Sequence, residues 1–104
     1  SGYGGLLLCH HTLDQTMDVQ RVTSRDGWSW ERADGRRPLL PWGKRGRFDS
    51  GMITATSMPC RFGERVLLPY NGRSTVHDQQ QRFPEDGPIP PGVGLVELDG
   101  RILE

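Results

Sequence analysis

The chain has no excess of charge of either sign. Its 104 residues include 13 Lys and Arg against 13 Asp and Glu, so the formal net charge is zero. Proteins that bind nucleic acid or an anionic membrane through their overall field carry a basic excess. The one basic cluster, Arg36-Arg37 with Lys44, Arg45 and Arg47, is interrupted by Pro and Gly and has no aromatic residues at stacking spacing. We interpret it as a solvated loop, and we expect neither a nucleic acid nor a membrane as partner.

Long apolar runs are also lacking. Hydrophobic residues make up 34% of the chain, and the mean hydropathy is −0.61. The run Leu6-Leu7-Leu8 is far shorter than the roughly 20 residues that a membrane-spanning helix needs. The length leaves room for one small domain at most. Because the chain starts at Ser1-Gly2 rather than at Met, we expect it to be a piece of a longer parent protein; its compartment stays open.

Cysteine is scarce, which argues against a disulfide framework or a metal cage. Cys9 and Cys60 stand alone, outside any CxxC motif and without metal-ligand spacing. Buried unpaired thiols are one interpretation of the two cysteines, and a single long-range disulfide is the other. We expect no metal and no cofactor.

Two Asp-Gly pairs mark turns. Asp26-Gly27 separates a polar strand end from the aromatic run Trp28-Ser29-Trp30, and Asp99-Gly100 separates residues 92–98 from 101–103. Asp-Gly supplies the positive φ angles of a two-residue hairpin, so both pairs predict hairpins. A hairpin used twice indicates a repeat architecture.

Strand patterns fall into two groups, and no segment has a helical period. The first group is 4–11, 17–23 and 28–32, and the second is 51–57, 64–70, 92–98 and 101–103. A repeated four-stranded antiparallel meander is typical of a β-propeller blade. We therefore predict an all-β chain with an incomplete blade at 1–33, a linking loop at 34–50 and a blade at 51–104. The missing blades of the parent chain would be its partners, and a small free-standing β-sandwich is the competing architecture.

Up-and-down connectivity predicts which loops share one end of the sheet. Three segments should converge there: His10–Asp14, the loop ending Phe48–Gly51, and Ser74–Asp78. The Asp-Gly turns should lie at the opposite end.

Asp49 is the main candidate for catalysis. It directly precedes the predicted innermost strand of the second blade, where its carboxylate would face the propeller axis as nucleophile, general base or orienting group. The alternative is a turn Asp that bonds the backbone near Ser50-Gly51.

Four further residues are candidates for substrate binding: His77, Trp42, His11 and Asp14. His77 could bind substrate or transfer protons, or it could simply be a solvated loop residue. His10 and His11 are adjacent in a strand and point to opposite faces, so only one of them can enter a site. Asp14 has a turn role as its alternative.

The tryptophans divide by position. Trp42 lies in the long loop on the candidate end, and is the one expected to contact a ligand. Trp30 is expected to pack between neighbouring blades, and Asp26 to cap its own turn.

Several motifs carry a family resemblance that spans nearly the whole chain. They are Met17–Gln20, Ser24–Gly27, Trp30–Arg32, Arg37–Pro41, Phe48–Met52 and Gly94–Gly100. In this order they resemble bacterial proteins related to five-bladed β-propeller glycoside hydrolases, a group that includes arabinanases, β-xylosidases, invertases and levansucrases. The resemblance implies a carbohydrate substrate and site carboxylates from several blades, with Asp49 at one such position and His77 in the matching loop.

The function expected on this basis is glycosidic hydrolysis by paired carboxylates in the parent protein. The isolated chain should have little or no activity, because the second carboxylate would lie outside it. The alternative function is a non-catalytic glycan-binding or interaction propeller, in which Asp49 and His77 only hydrogen-bond the ligand.

Overall fold

A computed structural model describes residues 2–55 and 57–103. The chain is all-β, as predicted, and the described residues form one open sheet of seven strands with three short 3-10 helices at 34–36, 84–86 and 100–103. The strands are β1 (Tyr3–His10), β2 (Met17–Ser24), β3 (Trp30–Arg32), β4 (Met52–Thr54), β5 (Cys60–Phe62), β6 (Arg65–Arg73) and β7 (Gly92–Leu98).

The first three strands form an antiparallel meander around β2. β1 pairs with β2 over eight residues, from Tyr3 opposite Ser24 to His10 opposite Met17. β3 pairs with the C-terminal part of β2, beginning with Trp30 opposite Ser24. Strong β-branched and alternating character makes Met17–Ser24 the central strand of this unit.

The turn at Asp26-Gly27 is wider than the predicted two-residue hairpin. Five residues, 25–29, separate the paired positions Ser24 and Trp30. Oδ1 of Asp26 accepts hydrogen bonds from the backbone N–H groups of Trp28 (2.8 Å) and Ser29 (2.9 Å). The side chain therefore builds the turn itself, as an Asx turn does, and the expected capping role of Asp26 is confirmed.

The remaining strands surround β6. β7 pairs along one edge, from Val66 opposite Leu98 to Gly72 opposite Gly92. β4 and β5 share the other edge, where β4 pairs with residues 71–73 of β6 and β5 with residues 65–67. The predicted strand at 51–57 is thus reduced to Met52–Thr54, and its residue 56 lies outside the described residues.

The hairpin predicted at Asp99-Gly100 is absent from the described structure, and the strand predicted at 101–103 is wrong. The chain turns there into the 3-10 helix Gly100–Leu103. The Asp99 carboxylate accepts hydrogen bonds from the backbone N–H and the guanidinium of Arg101. These local bonds satisfy the backbone without a neighbouring strand.

Among the described residues, one parallel strand pair, Met17 opposite Met52, joins the strands of the two units. The sheet is therefore mixed, unlike the purely antiparallel strands that we predicted. The cause is the path of the long loop before β4, which runs beside β2: the Leu39 N–H donates to the carbonyl of Val19 (2.7 Å), and Pro38 bridges to Gln20. This path delivers β4 to the same edge of β2 that β3 occupies.

The core lies on one face of the sheet under that loop. Its buried members are Val19, Leu40, Ile53 and Tyr70, and Trp42 and Phe48 pack against them. The molecule measures 47 × 32 × 19 Å. Since all seven described strands belong to one sheet, a second sheet that would make a β-sandwich is not found in residues 2–55 and 57–103.

Neither cysteine is in a disulfide in the described part of the chain. Cys9 is half-buried, and desolvation raises the pKa of its thiol, whereas Cys60 is exposed. The prediction of a buried thiol is wrong for Cys60, because its strand β5 is exposed at all three positions. No helix in the described ranges is long and apolar enough to cross a membrane.

Candidate functional site

The three segments predicted to converge do meet at one end of the sheet, which we call the loop end (residues 10–16, 48–51 and 74–82). The backbone N–H of His77 donates to the carbonyl of Gln15 (2.8 Å). The imidazole rings of His10 and His77 stack with centroids 4.1 Å apart. Nη1 of Arg82 donates to the carbonyl of Ser50 (2.9 Å), which ties the third segment to the second.

Asp49 is buried between the long loop and β6 rather than open to a cleft. The residue is 4% exposed. Oδ2 accepts a hydrogen bond from the Tyr70 hydroxyl (2.8 Å), whereas Oδ1 has no hydrogen-bond partner among the described residues. The nearest cation is Arg47, whose Nε lies 3.8 Å from Oδ1.

Two glycines allow the carboxylate of Asp49 to pack this closely. A Cβ added to Gly43 would collide with Oδ1, and one added to Gly72 would lie 2.6 Å from the Asp49 Cβ. The Gly43 N–H also donates to the Asp49 carbonyl (3.0 Å). The residue therefore fastens the long loop to β6 through its side chain, and the backbone bond near Ser50-Gly51 that the turn alternative requires is not found among the described residues.

Burial of Tyr70 and its hydrogen bond to Asp49 change the acidity of the phenol. Desolvation, followed by the bond to the carboxylate, raises the pKa of Tyr70 to about 12. Both causes favour the neutral phenol as donor. Tyr70 thus stays a hydrogen-bond donor to Asp49 throughout the neutral range.

His11 forms the best-organised polar contact of the loop end. Its Nε2 lies 2.7 Å from Oδ2 of Asp18, whose side chain is 2% exposed, while 40% of the imidazole is exposed. Oδ1 of Asp18 accepts from the Gln20 amide (2.9 Å), and the Gln20 oxygen accepts from Arg32. Asp18 fixes the ring so that its other nitrogen, Nδ1, is the one available to a ligand.

His10 and His77 form an exposed stacked pair. Gln15 contacts both members of the pair. Its side-chain oxygen is hydrogen-bonded to Nε2 of His10 (2.9 Å), and its backbone carbonyl accepts a hydrogen bond from the His77 N–H. Gln15 has a positive φ of 65°, which a non-glycine residue adopts only where its surroundings require it.

Trp42 is only partly available to a ligand. Its Nε1 donates to the carbonyl of Met17 (2.8 Å), and its ring meets His11 edge-on with centroids 6.0 Å apart. The Arg82 guanidinium lies 4.9 Å from the ring centroid. Arg82 and Arg45 both also lie over Phe83, at 5.0 and 4.8 Å, so cations and rings alternate across this surface.

Asp14 has the turn role that we considered as its alternative. Its Oδ1 accepts from both the N–H (3.0 Å) and the hydroxyl (2.7 Å) of Thr16. These bonds hold the pKa of Asp14 below its usual range. The second oxygen of this exposed carboxylate remains on the surface beside the histidines.

Sequence reasoning missed three residues of the loop end: Asp18, Gln15 and Arg82. Asp18 sits in a strand next to buried Val19, and its pairing with His11 seven residues earlier has no motif. Gln15 lies between the strands predicted at 4–11 and 17–23, and Arg82 lies between those predicted at 64–70 and 92–98. Nothing in either segment indicates that Gln15 contacts two histidines or that Arg82 reaches the Ser50 carbonyl.

The two buried carboxylates of this end do not face each other. Asp18 alternates with Val19 along β2, and Val19 belongs to the core face that holds Tyr70 and Asp49. The side chains of adjacent strand residues point to opposite faces, so Asp18 and Asp49 lie on opposite sides of the sheet. They are not arranged as an acid and nucleophile around one bond.

The two other tryptophans lie away from the loop end. Trp28 is 89% exposed in the Asp26 turn, and Trp30 is 46% exposed with its ring over Gly5.

A groove of about 1030 Å³ lies at the end away from the histidines, between Gly2–Leu6 and residues 58, 59 and 102. None of the predicted site residues lines it. In the described ranges, no three His, Cys, Asp or Glu side chains are grouped to hold a metal ion.

A comparison of the chain with protein-family models, with characterised proteins and with solved structures finds no match.

Proposed function

We propose that the chain is part of a carbohydrate-binding protein with propeller-like blades, and that its loop end contacts the glycan. The support for the blades is the order of the two antiparallel units together with the resemblance of the motifs described above. The support for the ligand is the surface that the three converging segments form.

The exposed polar groups of the loop end carry this proposal. His10 and His77 are stacked and exposed, His11 is held by Asp18 with Nδ1 free to act, and Asp14 keeps one carboxylate oxygen on the surface. Sugar recognition uses convergent hydroxyl-bonding groups of this kind, beside an aromatic or guanidinium surface. Trp42 with Arg82 supplies that surface.

Binding fits this chain better than hydrolysis does. A glycosidase needs two carboxyl groups roughly 5–10 Å apart on the two sides of the scissile bond. Asp49 is enclosed by Tyr70, Gly43 and Gly72, and Asp18 lies on the other face of the sheet. A sugar at the loop end meets imidazoles and the Asp14 carboxylate before it meets either buried acid.

Hydrolysis is the second candidate, and it belongs to a longer parent protein. Its support is the buried carboxylate of Asp49, three residues before β4, whose Oδ1 has no hydrogen-bond partner among the described residues. In that protein, Asp49→Asn should abolish the cleavage of aryl glycosides. Unchanged turnover in the variant would remove Asp49 from catalysis.

Titration of the isotope-labelled chain with pentose and fructose oligosaccharides tests the binding proposal by NMR. The backbone amide signals of His10, Asp14 and His77 should shift, and His77→Ala should weaken binding at least tenfold, which corresponds to about 1.4 kcal/mol. Trp28→Ala is the matched control, because Trp28 is exposed at the opposite end. Shifts confined to residues 25–29, or no shifts with any of these sugars, would contradict the proposal.

A further inference from the structure

Two long strands, β1 and β7, form the outer edges of the sheet. β1 pairs with β2 along its whole length, and no strand of the described ranges lies on its other side. β7 pairs with β6, and no second partner strand for β7 is found in residues 2–55 and 57–103. Unpaired N–H and C=O groups of an edge strand are a template for another strand.

The exposed side chains show that the two edges differ. In β1, the consecutive residues Leu7 and Leu8 are 38% and 43% exposed. Leu7 and Leu8 point to opposite faces of the sheet, because they are consecutive strand residues. Their exposure therefore reflects the missing strand beside β1, and not a missing layer over one face of the sheet. In β7, Val93 and Leu95 share one exposed face, while Val96 packs toward the core.

The chemistry of β1 leaves its edge unprotected. The segment Tyr3–His10 contains no Asp, Glu, Lys, Arg or Pro. Natural edge strands usually carry such residues, because a charge or a proline blocks the addition of a further strand. β7 has such a charge, Glu97, which is paired with Arg65 (2.8 Å).

We propose that β1 is the dimer interface of this 104-residue chain, pairing antiparallel with β1 of a second copy. A two-fold axis perpendicular to the sheet joins like faces, so only residues of the same parity can stand opposite each other. Centring the axis on Leu7 places Leu7 opposite Leu7 on one face and Leu6 opposite Leu8 on the other. The two copies then form one continuous sheet.

This register also suits the smaller and uncharged positions. Gly5 stands opposite Cys9, and Gly4 stands opposite His10, so each larger side chain meets a glycine. Gly4 has open space around its Cα, since an added Cβ would meet nothing within 4 Å. An uncharged strand that meets its own copy has no like charges opposite each other, which would oppose pairing. In a parent propeller, the innermost strand of the blade would pair with this edge of β1. The dimer is therefore proposed for the 104-residue chain and not for the parent protein.

Sedimentation equilibrium over a range of concentrations tests the interface. The wild-type chain should form a dimer, and Leu7→Lys should raise its dissociation constant by tenfold or more, because two lysines would face each other at the axis. Leu95→Lys is the matched control, since Leu95 is a more exposed leucine on the other edge. A monomeric wild-type chain, or equal weakening by both variants, would overturn the proposal.

Disulfide trapping tests the register without depending on the stability of the lysine variant. Leu7→Cys, in a background of Cys9→Ser and Cys60→Ser, should form a covalent dimer on mild oxidation, because opposite Cβ atoms lie roughly 4.5–5.5 Å apart. Leu95→Cys in the same background should stay monomeric. Absence of the Leu7→Cys dimer, or equal yields from both variants, would contradict pairing about Leu7.

Discussion

The hydroxyl of Tyr70 donates to Oδ2 of Asp49 over 2.8 Å and joins the central strand of the second unit to the end of the long loop. The pair lies in the core beside Val19 and Ile53, so it also connects the loop to the first unit. This buried bond is therefore one of the contacts that hold the segment with the main candidate residue of the loop end.

Removing the donor should destabilise the fold. In Tyr70→Phe, neither oxygen of the buried Asp49 carboxylate would keep a hydrogen-bond partner among the described residues. We expect the free energy of unfolding to fall by about 1–3 kcal/mol, measured by urea denaturation. Tyr3→Phe is the control, because Tyr3 is 58% exposed. Equal effects of the two variants would show that the hydroxyl of Tyr70 contributes nothing specific.

The same pair predicts a loss of stability in alkali. The folded-state pKa of Tyr70 is raised to about 12, above the ordinary value of 10.0. Between these values the unfolded chain releases the phenolic proton and the folded chain keeps it. The stabilisation is therefore complete below about pH 10, and it is lost at up to about 1.4 kcal/mol per pH unit as the pH rises toward 12.

Urea denaturation of the wild type and Tyr70→Phe at pH 8 to 12 isolates this effect. The difference in unfolding free energy between the two proteins should shrink above about pH 10. Other groups that titrate in this range are common to both proteins and cancel in the difference. A constant difference up to pH 12 would show that Tyr70 ionises alike in both states.

The space around Asp49 predicts a second effect on stability. A Cβ at position 72 would lie 2.6 Å from the Asp49 Cβ and 2.7 Å from the Phe48 ring. Gly72→Ala should therefore lower the unfolding free energy by about 1–3 kcal/mol. Gly4→Ala, where an added Cβ meets nothing within 4 Å, should be neutral or slightly stabilising. Thermal unfolding at low protein concentration compares them, and a neutral Gly72→Ala would mean that the loop shifts freely.

The His11–Asp18 contact can be tested by a double-mutant cycle. Asp18→Ala removes the partner of both His11 and the Gln20 amide, and should cost about 1–3 kcal/mol. His11→Ala should cost less when Asp18 is already absent. Asp78→Ala, an exposed carboxylate of the same end, should change stability by less than about 0.5 kcal/mol. Strict additivity of the first two variants would argue against the contact.

The regular strands were predictable because the order of apolar and polar side chains along them follows which side chains are buried. Residues 17–23 alternate between apolar and polar, and the structure has Met17–Ser24; Gly92–Leu98 matches the prediction residue for residue. β5 was not predicted, because all three of its residues are exposed and its only support is the pairing with β6. Residues 101–103 have the composition of a strand. In the structure, the Asp99 carboxylate accepts a hydrogen bond from the Arg101 N–H, and the chain forms a 3-10 helix instead.

The loop end was predictable in outline and not in its contacts. Strand order alone brought His10–Asp14, Phe48–Gly51 and Ser74–Asp78 together. Sequence could not show that Asp49 is enclosed, because that depends on close packing against Gly43 and Gly72, and Gly72 belongs to a strand 23 residues further along the chain. It could not pair His11 with Asp18 either, since that contact needs the bend at residues 11–16.

Among the described residues, Met17 opposite Met52 is the one strand pair that joins the two units, so little of the sheet itself holds them together. The units are joined mainly through loops: Leu40 and Trp42 of the long loop pack in the shared core, and the His77 N–H donates to the Gln15 carbonyl. A protease cut in that loop would therefore do more than open a surface segment. It would weaken one of the two loop connections between the halves of the sheet and leave the contacts of His77 with Gln15 and His10 as the other.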